Sequence, residues 1–214
     1  MEIAGKVAVV SGGGSGIGRA AVLALVNRRG KIVVADVDED AGRQTVGLAA
    51  EKAGTAVFCR CDVTKTEDLA RAFASAVEHF GALHIAFNNA GIGGEDLFAD
   101  DPGDWARVID VDLTAVIDAT RIAVLEMKRS GHGGVIINTA SPIGLGPMAG
   151  APVYAAAKAV RSTSRGRWPT SQRNRIFALT QSAPSSSTRG WHSASAKSAW
   201  RSCAKRAESS CPRT

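Results

Sequence analysis

A chain of 214 residues is long enough to bury the core of one domain and too short for two full-sized ones. Apolar residues make up 45% and charged residues 21%, with no run of ~18 apolar residues to span a bilayer; the start lacks a basic, cleavable leader, so a cytoplasmic protein without a membrane partner is expected. The net charge of +6 is unevenly divided: residues 1–158 hold 15 Lys and Arg against 19 Asp and Glu, net −4, whereas residues 159–214 hold 11 against 1, net +10.

Up to residue 158 the sequence alternates strands with helices, the pattern of a parallel sheet covered on both faces. Residues 6–10 (KVAVV) read as a strand, 12–18 as a glycine-rich turn, and 19–27 as a helix closed by Gly30. Residues 31–35 form the second strand, 39–53 a helix ending at Gly54, and 56–60 the third strand, running into Asp62 and Val63. The segment 66–80 is a helix with Leu69, Phe73, Ala76, Val77 and Phe80 on one face; 84–88 is the fourth strand, 105–130 a long helix and 135–138 the fifth strand. Beyond Lys158 the pattern stops. The last 56 residues contain four Val, Ile, Leu or Phe residues and 13 serines, a composition that does not build a core. The chain is therefore divided into a unit at 1–158 and a basic tail at 159–214, expected to be non-native or disordered.

Two constellations carry chemistry. In Ser11-Gly12-Gly13-Gly14-Ser15-Gly16-Ile17-Gly18, between a strand and a helix, small residues let backbone N–H groups approach a pyrophosphate at the helix N-terminus. A tight turn alone would explain the run. Asp36, at the end of the second strand and 18 residues after Gly18, can accept hydrogen bonds from an adenosine ribose and would repel a 2′-phosphate. That favours NAD over NADP; the ordinary alternative is an acidic surface loop, since Asp38, Glu39 and Asp40 follow. Tyr154 and Lys158 stand four apart and share a helix face, and Ser141 precedes Tyr154 by thirteen residues. An ammonium beside a phenol favours the phenolate and suits acid–base work.

Together these residues resemble the short-chain dehydrogenase/reductase family over residues 7–159. The glycine motif corresponds to Gly12, Gly16 and Gly18, within the loop that also carries Ser15 and Ile17; the cofactor selector corresponds to Asp36 and the adenine contact to Asp62-Val63. The strand-four motif corresponds to Asn88-Asn89-Ala90-Gly91, and the catalytic set to Ser141, Tyr154 and Lys158. The resemblance implies a Rossmann-type doubly wound α/β sheet, hydride transfer between an alcohol or ketone and NAD, and a homo-oligomer. Asp112 stands where the family usually has asparagine, so a place in a proton relay would rest on a carboxylate that only accepts hydrogen bonds.

The tail departs further, because the family continues with an apolar helix, a sixth strand reading roughly IRVNAVxPG, and a seventh strand. Combining each codon's third base with the next codon's first two permits IRVNAVCP from Ile176 onward and AVNFTRSLADL over 160–171. The expectation is a one-nucleotide slip after Lys158, an unpaired fifth strand and a product that is unstable or inactive. The alternative is a dinucleotide-binding or interaction protein without catalysis, its basic tail carrying Trp168, Trp191 and Trp200 toward nucleic acid; arbitrary shifted codons explain that composition better. Leu145, Pro147 and Met148 suit an apolar substrate as well as a plain loop. Cys59, Cys61, Cys203 and Cys211 and the four histidines lack ligand spacing, so reduced thiols and no metal are expected.

Overall fold

The computed structural model describes residues 2–93, 97, 103–145, 150–163, 166–168 and 176–182. Five parallel strands form the body of the sheet: β1 (Val7–Ser11), β2 (Lys31–Asp36), β3 (Thr55–Arg60), β4 (Ile85–Asn88) and β5 (Gly134–Ala140), in spatial order β3-β2-β1-β4-β5. Between them run α1 (Gly16–Val26), α2 (Glu39–Ala50), α3 (Thr66–Phe80), and α4 (Trp105–Ile109), which passes through a π-helical turn at Asp110–Thr114 into α5 (Ala115–Ser130).

Alternation along the strands builds two cores. Val7 and Val9 of β1 and Val33 and Ala35 of β2 pack against Leu69, Phe73 and Ala76 of α3 and Ala119, Ala123 and Met127 of α5. Ala8, Val10, Ile32 and Val34 face the other way, onto Val22, Leu25 and Val26 of α1 and Ala49 of α2. Helices thus cover both faces of a parallel sheet, the Rossmann-type doubly wound α/β fold.

The expected helix at 66–80 is observed as α3, and Gly81 closes it in the left-handed conformation (φ +83°). The first helix begins at Gly16 rather than residue 19, because the last glycines of the run form its first turn. Glycine's low helix propensity concealed that start.

After β5 a 3₁₀ turn (Pro142–Leu145) leads to α6 (Pro152–Thr163), then β6 (Gly166–Trp168) and β7 (Ile176–Ser182). The β7 strand lies parallel to β5, from Gly134 opposite Ile176 to Ala140 opposite Ser182, and β6 pairs antiparallel beyond it. The expectation that β5 is an unpaired edge is therefore corrected. Seven consecutive residues of the tail supply the backbone partners that edge needs, and backbone pairing requires no particular side chain.

Cys61 is buried, and burial, with Cys59 and Asp68 nearby, pushes its thiol up to about 12; burial also raises the Cys59 thiol. Both are free thiols. At the amino end of the sheet His84 Nδ1 accepts the Val7 N–H at 3.2 Å, and its ring stacks on His132 at 5.8 Å. Burial first, then Lys6 and His132, hold the His84 imidazole below the ordinary histidine range. The unfolded chain therefore binds this proton more readily, and stability falls as pH drops from about 6.5 toward the lower folded value. The thermal midpoint should decline by a few degrees between about pH 7.5 and 5.5, and His84→Asn, which keeps an acceptor but does not titrate, should flatten that slope.

Candidate active site

Ser11, Asp36 and Asn88 end their strands and Ser141 follows the last residue of β5, so all four lie at the carboxyl ends of the parallel sheet. β1 has β2 on one side and β4 on the other, which makes the β1/β4 boundary the point where strand order reverses and a crevice opens. The glycine run leaves β1 at this point and Asn89-Ala90-Gly91 leaves β4 beside it.

The two loops are locked together. The Ser11 hydroxyl accepts the N–H groups of Asn89 (3.0 Å) and Ala90 (3.2 Å), while Asn89 Nδ2 donates to the carbonyls of Ser11 (3.1 Å) and Gly12 (3.3 Å). Gly12 has φ +64°, and a Cβ there would stand 3.0 Å from the Ala90 Cα. A Cβ on Gly18 would overlap the Gly12 carbonyl. These contacts explain two of the expected glycines by steric necessity.

α1 presents an uncapped positive end to the crevice. Ser15 occupies its N-cap position without a side-chain capping bond, no acidic residue lies in its first turn, and a Cβ on the exposed Gly16 would meet nothing within 4 Å. A helix end of this kind, reached through open space at a glycine, fits a pyrophosphate. Ile17, half-buried, packs against the core beneath it. Asp36 is aimed by its own neighbours: Oδ2 accepts the Gly14 N–H at 2.7 Å and Oδ1 the Asp38 N–H at 3.0 Å. One strand further out, the Asp62 carboxylate accepts from the backbone and hydroxyl of Thr64, which hold it below the usual carboxylate range. Val63, partly buried, packs on the core beside it.

On the other side of the crevice Tyr154 and Lys158 share a face of α6, with the lysine Nζ 5.1 Å from the centre of the phenol ring. Ser141 is buried and opens the 3₁₀ turn, whose Gly144 lies directly against the backbone of Lys158: a Cβ there would be 2.6 Å from the lysine carbonyl carbon. Lys158, only 3% exposed, donates to Oδ1 of the fully buried Asp112 at 2.7 Å. A Cβ on Gly91 would stand 2.6 Å from that oxygen and 3.3 Å from the lysine Nζ, so the backbone after β4 closes over the pair.

Several supporting residues escaped the sequence reading. Arg19 Nε donates to the Gly14 carbonyl (2.8 Å) and Thr45 Oγ1 (3.0 Å), tying the glycine loop to α2. Asn138 Oδ1 accepts at 2.8 Å from Asn88, itself part of the strand-four motif, across β4 and β5, and the buried Asp68 accepts the Asp62 N–H at 2.9 Å. A polar residue within an apolar strand, Asn138, was the available signal. Pro147 and Met148, and the side chain of Leu145, lie outside the described residues, as do Trp191, Trp200, Cys203 and Cys211. Among the described residues no cluster of three His, Cys, Asp or Glu has the geometry of a metal site, and no helix is long and apolar enough to cross a membrane.

Comparison with known proteins agrees with this geometry. Residues 6–165 match the family model described as short chain dehydrogenase. The human 15-hydroxyprostaglandin dehydrogenase [NAD(+)] is 36% identical over 162 residues, covering 74% of this chain and 58% of the relative. Cyclohexanol dehydrogenase of Acinetobacter sp. (strain SE19) is 39% identical over 155 residues, 72% of this chain and 61% of the relative. A 2,5-dichloro-2,5-cyclohexadiene-1,4-diol dehydrogenase of Sphingobium indicum is 37% identical over 159 residues, 74% and 63% respectively. The chain thus spans less than two thirds of the length of these relatives. A glycine loop at the strand-order reversal, a serine after β5, a tyrosine and lysine on one face of α6 and the family match over 6–165 make this chain a member of the short-chain dehydrogenase family.

Proposed function

We propose that the chain is an NAD-dependent oxidoreductase interconverting a secondary alcohol and its ketone. The observation that carries this reading is the Lys158 ammonium 5.1 Å from the Tyr154 ring, beside the crevice into which the glycine loop opens. A nicotinamide cofactor held in this crevice would supply the hydride acceptor for the carbinol carbon and the donor in the reverse direction. Tyr154 takes the hydroxyl proton during oxidation and gives it back during reduction; the neighbouring ammonium favours its phenolate. Ser141 would hydrogen-bond the substrate oxygen, and Lys158 would also hold the ribose hydroxyls. Gly12, Ser15, Gly16, Ile17 and Gly18 would hold the pyrophosphate, with Asn89, Ala90 and Gly91 as the facing wall, and Asp62 and Val63 would hold the adenine.

Asp36 supports NAD over NADP, since its carboxylate is held in place by Gly14 and Asp38 where a 2′-phosphate would meet like charge. Fluorescence titration with NADH and NADPH, followed by an assay of cyclohexanol oxidation, tests the proposal. NADH binding with turnover is the expected result; NADH binding without turnover would establish the non-catalytic reading instead. Asp36→Ala should narrow the preference for NADH over NADPH at least tenfold, about 1.4 kcal/mol of discrimination.

Two further family expectations extend the proposal. Assembly into a homo-oligomer is read by sedimentation of the purified chain. The one-nucleotide slip after Lys158 is read by sequencing the gene across that codon, and an unbroken frame with no alternative reading removes it.

A further inference from the structure

Lys158 and Asp112 lie 46 residues apart in sequence, yet they form a buried ion pair, 2.7 Å from Nζ to Oδ1, with side chains 3% and 0% exposed. Asp112 sits in the π-helical turn Asp110–Thr114, between α4 and α5. Such a turn widens the helix locally and redirects its side chains, and here one of them meets α6. Gly91 covers the pair from the β4 side. The lysine beside the tyrosine is thus half of a closely matched pair of opposite charges. A dipole's potential falls off faster than that of a single charge, so its influence on a neighbour is weaker than the ammonium's own.

We propose that Asp112 is a positioning residue and resident counter-ion: its carboxylate offsets the Lys158 charge at the Tyr154 phenol, so that the phenol ionises at a higher pH than the lysine alone would set. Among the described residues the other ionisable groups on the packed elements lie outside this buried contact. Asp104, Arg107 and Asp110, on and beside α4, are exposed; the 3₁₀ turn 142–145, β5 and β7 contribute no charged residue, and on α6 itself only Arg161 remains, three residues beyond Lys158. The inference deepens the proposed function by identifying what sets its working pH, and it rests on Tyr154 being the proton-transfer group.

Tyr154 is the sole tyrosine of the chain, so phenolate absorbance near 295 nm, read immediately after a pH jump, reports its ionisation with neither cofactor nor substrate present. The midpoint of the unaltered chain is the reference against which the variants are read. Asp112→Asn should lower that midpoint by about one unit, a tenfold change in the ionisation constant. A midpoint that Asp112→Asn leaves unmoved, or raises, overturns the inference. If the asparagine variant fails to fold, Asp112→Ser removes the same charge with a smaller side chain and should lower the midpoint likewise. With turnover, the acidic limb of the pH–rate profile should move down by the same amount in Asp112→Asn. A shifted absorbance titration in a protein without turnover would sustain the counter-ion while removing the oxidoreductase reading.

Discussion

Tyr154→Phe should lower alcohol oxidation by about 10³-fold while leaving NADH binding unchanged. The variant removes one oxygen and keeps the ring against which Lys158 rests at 5.1 Å. Packing on α6 is therefore conserved, and the loss falls on proton transfer. Without the phenol, the hydroxyl proton of the alcohol must leave to water while the hydride departs from carbon. Rapid-mixing measurement of NADH formation, with cofactor affinity determined separately, distinguishes a lost proton acceptor from a damaged site. Turnover within a few-fold of the unaltered chain would transfer the acid–base role away from Tyr154. The same variant is a control for the counter-ion, because the 295 nm titration must disappear with the only phenol in the chain.

Gly18→Val should abolish NADH binding and destabilise the domain by about 3 kcal/mol or more. The cause is local and steric. A Cβ at this position overlaps the Gly12 carbonyl and approaches Asn89 Nδ2 to 2.8 Å, so it wedges apart the loop after β1 and the loop after β4. The bonds lost with that separation are those from Asn89 to the Ser11 and Gly12 carbonyls. Against a total stability of ~5–15 kcal/mol, this is a large fraction. Gly47 lies within α2 on helical backbone, and a Cβ there would meet nothing within 4 Å, so Gly47→Ala should instead stabilise by ~0.5–1 kcal/mol. Denaturant titrations of the two variants, side by side, separate a glycine required by a close approach from one that is merely tolerated. A Gly18→Val chain with normal midpoint and normal NADH affinity would contradict the packing of the crevice.

Much of this site was legible without coordinates because its cues are short-ranged. Tyr154 and Lys158 share a face as a consequence of helical pitch, and Asp36 stands at a strand end because an apolar run stops there. The glycine spacing marks a strand-to-helix turn for the same kind of reason. The strands up to β5 followed from apolar runs bounded by turn residues, and α3 from its apolar face. Helix ends were less legible: α1 starts inside the glycine run, where propensity argues against a helix and the packing of Gly18 under Gly12 overrides it.

What sequence determined alone is the order and type of the elements through β5 and the identity of the residues with chemistry to offer, since both depend on neighbours within a few positions. Only the tertiary structure decided which of them meet. It brought Asp112 to Lys158, set Gly91 over the pair, fastened Asn89 to the glycine loop and supplied β5 with the backbone of residues 176–182. Each of those contacts joins segments far apart in the chain, and chain closure over such distances is dictated by the packing of whole helices on a sheet. No local pattern carries that information: Asp112 read alone is an altered asparagine, and read in the fold it is the partner of the lysine.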